Sequence, residues 1–482
     1  MLSKEQQNIL DASKTGDNIV VDAVAGTGKT TLILEIAKES GSQKILQITY
    51  NKSLKFEVRE KTKSMSIDNL TIHTYHSLAV CYYSCTAHVD NEIKKIVINN
   101  KVPNRQIPTF DMIVIDEAQD MTLLYYQLII KFIKDIGSPV QLLILGDYMQ
   151  GLYEFKGSDI RFLTLAELIW KEHPCLRTQQ FQKCTMKMSY RITNQMSNFV
   201  NNAMLGEQRM GACRDDAPVQ YIRNSRFNIE RIVCAEINKL FSQGVKPSDI
   251  FILGPSVKGE RSNIRKLENM LVEKNIPCHV PMLENSDIDQ RVIDGKIVFS
   301  TFHCVKGRQR KYVFVVGFDN SYFKYYARNL QRDICPNTLY VACTRASNGL
   351  YVLESDTRRE DRPLEFLQMS HVDMKLVDYV HFKGQQQTLF LQTQETPTNL
   401  PIKITPTELI KFIPEDTNQH ICSILDRIFV KEQDVIENIE IPGIIQTKKG
   451  FYEEVSDLNG IAIPCMYYDH LLNAWTDDYS YK

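Results

Sequence analysis

The run Asp22-Ala-Val-Ala-Gly-Thr-Gly-Lys-Thr30 leaves this chain few folds to choose from. It follows the apolar segment Ile19-Val20-Val21 and opens into Thr31-Leu-Ile-Leu-Glu-Ile-Ala37, so it reads as strand, glycine loop, helix. A phosphate-binding loop needs that order. Loop N–H groups and the positive end of the helix dipole then converge on a cluster of anionic oxygens. Lys29 can reach the β- and γ-phosphates, and the Thr30 hydroxyl can ligate Mg²⁺. Ala23 stands where the usual motif has its first glycine, while Gly28-Lys29-Thr30 is intact.

A chain of 482 residues is too long for one ordinary core. Its net charge of −1 means that any nucleic-acid contact must come from local basic patches, not from a global field. No apolar run approaches the roughly 18–20 residues that span a bilayer. The start, Met1-Leu-Ser-Lys-Glu-Gln-Gln, has no signal-peptide core, so no membrane partner is expected. The 12 cysteines lack paired metal-ligand spacing, and Cys81 and Cys85 read as two semi-buried thiols. Free thiols without an export signal favour a reducing intracellular compartment, cytoplasm or nucleus.

Short apolar runs alternate with helical patterns up to about residue 185. Candidate strands are Ile19–Val21, Ile45–Ile48, Met112–Ile115 and Leu142–Leu145, with a helix-period segment at Ala166–Trp170. Such alternation indicates βαβ units and a parallel sheet, whose ligand lies beyond the carboxyl ends of the strands. A second α/β region carries candidate strands Ile250–Leu253, Ile297–Phe299, Val313–Val316 and Leu350–Leu353. The polar stretch that follows reads as a linker. The expected division is 1–185, 186–355, a linker over 356–400, and a small extension over 401–482 with apolar-periodic stretches at Glu408–Ile413 and Ile421–Val430.

Chemistry-bearing residues follow the apolar runs directly. Asp116, after Met112-Ile-Val-Ile115, is placed to hold Mg²⁺ through water, and Glu117 to orient or deprotonate an attacking water. Gln150, after the next strand, offers a donor and an acceptor to a γ-phosphate or its water. Tyr153 and Phe155 interleave with Lys156, a composition suited to stacking single-stranded bases. Arg191, in Ser189-Tyr-Arg-Ile-Thr193, and Arg345, in Cys343-Thr-Arg-Ala346, belong to the second region. Guanidinium groups reaching across from there would neutralise charge on phosphoryl oxygens. Thr301, His303 and Lys306 supply donors for phosphate oxygens after the strand Ile297–Phe299.

Taken in order, these segments resemble a superfamily 1 helicase of the UvrD/Rep type, over residues 1 to about 355. Leu2-Ser-Lys-Glu-Gln6-Gln looks like the family's N-terminal glutamine motif, which implies that Gln6 reads adenine. Ala23, Val24, Ala25, Gly26, Thr27, Gly28, Lys29 and Thr30 match motif I, and Thr31 follows it. Ile48-Thr-Tyr-Asn-Lys52 resembles motif Ia, which assigns Tyr50, Asn51 and Lys52 to DNA. Thr74-Tyr-His-Ser77 matches a DNA-touching pattern, so Thr74 and His76 are assigned likewise. Asp116–Asp120 matches motif II and Gly146–Gly157 motif III. Tyr190-Arg191 matches motif IV, in which the tyrosine stacks on the base. Thr301–Gln309 matches motif V and assigns Gly307 and Gln309 to the nucleotide. Tyr340–Ala346 matches motif VI. The resemblance implies an α/β fold of two RecA-like P-loop NTPase domains with parallel sheets. It also implies ATP with Mg²⁺, and 3′-to-5′ travel of a monomer on single-stranded or tailed DNA.

Gln309 replaces the glutamate of motif V, and Cys335-Pro-Asn-Thr338 replaces the acidic residues that usually precede motif VI. The stretches between Leu78 and Met112 and between motifs IV and V are short for the family. They suggest a stripped-down motor. No Asp…Glu-x-Lys cluster follows Pro401, so the extension reads as a docking module for replication or repair proteins, or as the stub of a longer fusion, and not as a nuclease. Three other readings stand beside the helicase: an ATP-switched loading factor that never unwinds, an RNA-directed ATPase, and the motor half of a helicase–nuclease.

Overall fold

The computed structural model describes residues 2–171, 173–225, 227–257, 263–281, 290–356 and 364–384, and four short strands near the C-terminus. The chain divides into two compact units, Met1–Thr396 and Pro397–Lys482.

The first unit contains two parallel sheets. In the first lobe the strands are β1 (Asn18–Ala23), β2 (Ile45–Thr49), β3 (Leu70–Thr74), β4 (Met112–Asp116), β5 (Gln141–Gly146) and β6 (Phe181–Met186). Their order is β3-β2-β4-β5-β1-β6, and every pair is parallel. β2, β4 and β5 are buried along their whole length, as expected of strands covered on both faces by helices. Each candidate strand of this lobe lies within one of these. β3 and β6 escaped the sequence reading because Thr71 and His73, or Gln182 and Lys183, break the apolar run. Both are edge strands, where the requirement for continuous apolar residues relaxes.

A pair of two-residue strands, β7 (Met188–Ser189) and β8 (Gly211–Ala212), lies at the passage to the second lobe. That lobe contains β9 (Val219–Ser225), β10 (Ile250–Gly254), β11 (Cys278–His279), β12 (Ile297–Thr301), β13 (Arg310–Val316), β14 (Ala346–Asp356) and β15 (Val380–Gly384), in the order β11-β12-β10-β13-β14-β9-β15. The span 356–400, expected to be a linker, therefore needs correction. β15 pairs with β9 from Val380↔Val219 onward, and Leu364, Phe366 and Met374 are buried in the second lobe's core. Its mixed composition hid a strand that only the sheet reveals.

One hydrophobic core joins the lobes. Val24, from the phosphate loop, and Leu152 pack with Ile192, Phe199, Leu339 and Val341 of the second lobe. Each fully buried aliphatic side chain contributes on the order of 1.5–3 kcal/mol, so the seam is more than a wet contact.

Two buried histidines tie stability to pH. Burial pushes His73 down to about 4, helped by Lys55 and Arg59, and burial with Lys134 does the same to His173. Below the unfolded value of about 6.5, the unfolded chain binds protons that the folded chain refuses. Stability therefore falls as pH drops from about 6.5 toward 4, by about 2 kcal/mol per histidine at pH 5. Thermal unfolding between pH 7 and pH 4.5 checks this, and His73→Gln should flatten the dependence. An unchanged slope in that variant refutes the assignment.

The described part of the second unit is an antiparallel sheet, β16 (Ile444–Thr447), β17 (Gly450–Glu453), β18 (Tyr467–Asp469) and β19 (Ala474–Thr476). The stretches Glu408–Ile413 and Ile421–Val430 lie outside the described residues. Among the described residues no helix is long and apolar enough to cross a membrane.

Candidate functional site

The loop after β1 is shaped by two glycines, Gly26 and Gly28, both at φ +82°. A Cβ on Gly26 would come within 2.5 Å of the Arg191 Cβ, and one on Gly28 within 2.8 Å of the Gln6 amide nitrogen. The loop is thus gripped from both sides. Ser189 Oγ donates to the Ala25 carbonyl (2.7 Å), and the Tyr190 N–H donates to the Gly26 carbonyl (2.9 Å). Helix α2 (Lys29–Glu39) starts at the loop with no side-chain cap, leaving its positive end to the cleft. Val24, Gly26, Thr27, Gly28, Lys29, Thr30 and Thr31 line that cleft, whereas the side chains of Ala23 and Ala25 are buried beneath it. Tyr190 lines it too, half-exposed beside Gly26.

Gln6 departs from expectation. Its Oε1 accepts from the Ser3 N–H (2.9 Å), and its Nε2 donates to the Thr27 carbonyl (3.1 Å). Both ends of the amide are engaged, so Gln6 ties helix α1 (Lys4–Ser13) to the phosphate loop and is not presented to a base. The physical reason is a capping box with Ser3, and the Ser-x-x-Gln spacing could have signalled it.

At the end of β4, Asp116 accepts from the Glu117 N–H (3.0 Å) and from Gln47 Nε2 (3.0 Å). Glu117 sits at φ +58°, a left-handed conformation uncommon outside glycine and associated with functional sites. It pairs with Lys29 Nζ at 3.2 Å. Burial and the adjacent Glu117 push the Asp116 carboxyl up. Burial works against Glu117 as well, but Lys29 and Lys306 outweigh it and hold Glu117 below the usual carboxylate range. Lys29 itself is disfavoured by burial, yet Glu117 and Asp116 raise it overall.

From the second lobe, Arg345 is 1% exposed and donates to the Gln150 Oε1 (2.8 Å) and the Val341 carbonyl (3.0 Å). Arg191 donates to the Thr344 carbonyl (3.4 Å), and its buried Nε has no partner. Burial and the neighbouring Arg191 push Arg345 down to about 9. One buried and one partly buried guanidinium group, an orphaned N–H, Lys29 and a glycine cradle together call for an anion. Among the described residues no group of three or more His, Cys, Asp or Glu could hold a metal ion. A divalent cation that takes most of its ligands from phosphate and water needs only Thr30 and Asp116.

The cleft, about 1820 Å³, continues past these groups along an aromatic series. Tyr75 stacks on Tyr125 (4.3 Å between centroids), Tyr125 meets Tyr50 edge-on (6.2 Å), and Tyr50 stacks on Tyr153 (5.5 Å). Tyr153 then meets Phe155 (6.2 Å), and Phe155 meets His303 of the second lobe (6.1 Å). Lys156 lies over both Tyr153 and Phe155. Phe155 is 67% exposed, too open to be core. Asn51, His76, Thr301, Gly307 and Gln309 also line the cleft, and His76 pairs with Asp90 (3.0 Å). The side chain of Lys52 lies outside the described residues.

Two expected DNA contacts are otherwise engaged. Thr74 caps helix α3 (Tyr75–Tyr82) through a reciprocal pair with Ser77, which removes its hydroxyl from the cleft. Lys306 donates to both Asp120 oxygens (2.6 and 2.7 Å) and to the Gln150 carbonyl, so it latches the lobes together and leaves no charge for a strand.

Residues 6–156 match the family model of the AAA domain. A protein of Acanthamoeba polyphaga mimivirus described as a "putative ATP-dependent DNA helicase" is 23% identical over 389 residues, 73% of this chain and 53% of that protein. The chain thus spans about half the length of this curated relative. Both findings agree with the resemblance to superfamily 1 helicases. Among solved structures, the arterivirus nonstructural protein 10 helicase in complex with DNA gives a TM-score of 0.37 at 10% identity, covering 74% of this chain and 63% of that one. A DEAD-box helicase bound to single-stranded RNA gives 0.44 at 12% identity, covering 80% and 76%. At such values neither carries weight for function.

Several residues of the site were not read from sequence. Tyr75 and Tyr125 build the aromatic series, Asp120 receives Lys306, and Asp147 joins Arg209 to Gln150 and Tyr340. Asp120 and Asp147 lie inside motifs that had been quoted, but nothing local names their partners, which stand 186 and 62 residues away in sequence.

Proposed function

We propose that this chain is an ATP-driven motor of the UvrD/Rep type that moves 3′-to-5′ along single-stranded DNA and separates duplexes. The observation that carries the reading is that Arg191 and Arg345 line the same cleft as the phosphate loop, with Arg345 bonded to Gln150. In this reading the loop N–H groups and Lys29 bind the ATP phosphates. Thr30 and Asp116 would hold Mg²⁺, which supplies charge neutralisation across the phosphate oxygens. Glu117, kept ionised, orients water and accepts its proton. Gln150, held between Asp147 and Arg345, positions Arg345 for the terminal phosphate. Tyr190 stacks on the base, while Gln6 can read it only by releasing Ser3 or Thr27. Because Phe155 and His303 meet across the lobes, closing the cleft alters the bed on which bases lie.

Strand displacement on duplexes with 3′ or 5′ tails tests this, with RNA tails as control. Unwinding from 3′ DNA tails is expected. No displacement on either DNA tail despite ATP turnover would favour the loading-factor reading. Phe155→Ala should weaken single-strand binding by about 1–3 kcal/mol and slow unwinding, with ATP turnover largely retained. Its exposure predicts an unchanged unfolding temperature. Normal unwinding by this variant removes Phe155 from the stepping bed.

A further inference from the structure

Arg209 lies in none of the segments that carry the resemblance, yet its side chain makes three hydrogen bonds across the lobes. It is presented by an unusual backbone. Phe199–Leu205 is π-helical, a rare element that recurs at functional sites, and it ends at Gly206 with φ +73°. Within it, Asn201 is 1% exposed. Its Oδ1 accepts from the N–H groups of Arg209 and Met210 (3.1 Å each), and its Nδ2 donates to the Met210 carbonyl (2.7 Å). Met204 and Met210 are buried in the second lobe's core. The backbone at Arg209 is therefore fixed from the second-lobe side.

Its side chain reaches into the first lobe. One guanidinium nitrogen donates to Asp22 at 2.5 Å, the other to Asp22 at 2.8 Å and to Asp147 at 2.9 Å, and the group lies 4.1 Å over the Tyr148 ring. Asp22 is the residue of β1 just ahead of the phosphate loop, and Asp147 directly follows β5. Asp147 is fully buried and also accepts from Gln150 Nε2 (2.9 Å), the Tyr340 hydroxyl (3.1 Å) and the Met149 N–H (3.2 Å).

This geometry decides which way the Gln150 amide faces. A carboxylate accepts and cannot donate, so Asp147 selects the NH₂ end of the amide. The carbonyl end must then face Arg345, and it does, at 2.8 Å. A continuous path runs from Asp22 through Arg209, Asp147 and Gln150 to Arg345. We infer that Arg209 is a positioning residue that fixes the Asp147 carboxylate, and through it the Gln150–Arg345 pair, against the phosphate site. The inference rests on the ATP-driven reading above and deepens it: a contact at the seam of the lobes determines whether the terminal phosphate is met in register.

The test compares the full chain with Arg209→Met, Arg209→Lys and Asp147→Asn. ATP turnover under saturating single-stranded DNA is measured alongside binding of a fluorescent ADP analogue, which lacks the γ-phosphate. Arg209→Met is expected to keep ADP-analogue affinity within about twofold while kcat falls about tenfold to a hundredfold, the scale of a catalytic group displaced by an ångström. Asp147→Asn should behave alike, and Arg209→Lys should recover part of the loss. If Arg209→Met folds poorly, the double variant Arg209→Met/Asp147→Asn removes the uncompensated buried carboxylate. It should be stable and still slow. Unchanged kcat in Arg209→Met, or full recovery of kcat in the double variant, overturns the inference, because either makes the contact merely structural. A wild-type chain that neither binds the analogue nor hydrolyses ATP sinks the functional reading itself. Wild-type turnover matched by Arg209→Met sinks the positioning role alone.

Discussion

Lys29→Met is expected to abolish ATP turnover, lowering it by at least about 10³-fold, because in the proposed motor the charge lost is the one that meets the β- and γ-phosphates. Lys29 opens helix α2, lines the cleft, and pairs with Glu117 at 3.2 Å. Methionine keeps the apolar stem, so packing is preserved while the ammonium is lost. The change also leaves Glu117 with less cationic company, and its carboxyl should rise toward the ordinary range. The defect is then poorly held phosphates, since Glu117 stays ionised at neutral pH. Phosphate release at saturating ATP, with and without single-stranded DNA, measures the loss, and thermal unfolding checks that the fold survives. Turnover above a hundredth of wild type would mean that hydrolysis does not depend on this loop.

Arg345→Lys should cost about 10³-fold in kcat, the lower end of what an arginine finger supplies. The substitution keeps a cationic residue but not the fork. Arg345 bonds Gln150 with one nitrogen and the Val341 carbonyl with another, an arrangement that a single ammonium cannot copy. Burial already pushes this arginine down to about 9, and a lysine in the same place starts from a lower value, so part of it would be neutral. ADP-analogue binding should change little, because in the proposed motor this group meets the terminal phosphate. Steady-state kinetics separates the two: a fall in kcat with modest change in KM is expected. Near-normal turnover by Arg345→Lys would shift the role to Arg191.

Three parts of the site were legible in sequence because each follows an apolar run. Lys29 follows Ile19–Val21, Asp116 follows Met112–Ile115 and Gln150 follows Leu142–Leu145. A parallel sheet brings such positions to one edge whatever lies between them. Continuous apolar strands were legible for the same reason, while β3, β6, β9 and β15 carry polar residues within the run and were not. Roles failed where a local contact competed. Gln6 and Thr74 each sit in a capping box that engages the side chain, and the spacing of both boxes is present in the sequence. Lys306 and Arg209 are different. Their carboxylate partners are remote in the chain, and no periodicity or motif pairs Lys306 with Asp120 or Arg209 with Asp22 and Asp147.

The strand Val380–Gly384 bears on any attempt to shorten this protein. It lies outermost beside β9, shielding one row of that strand's backbone amides and carbonyls. A truncation ending near residue 355 would strip it away and leave β9 as an unpaired border, a template for strand addition between copies. A shortened form that is to remain monodisperse has to run through Gly384.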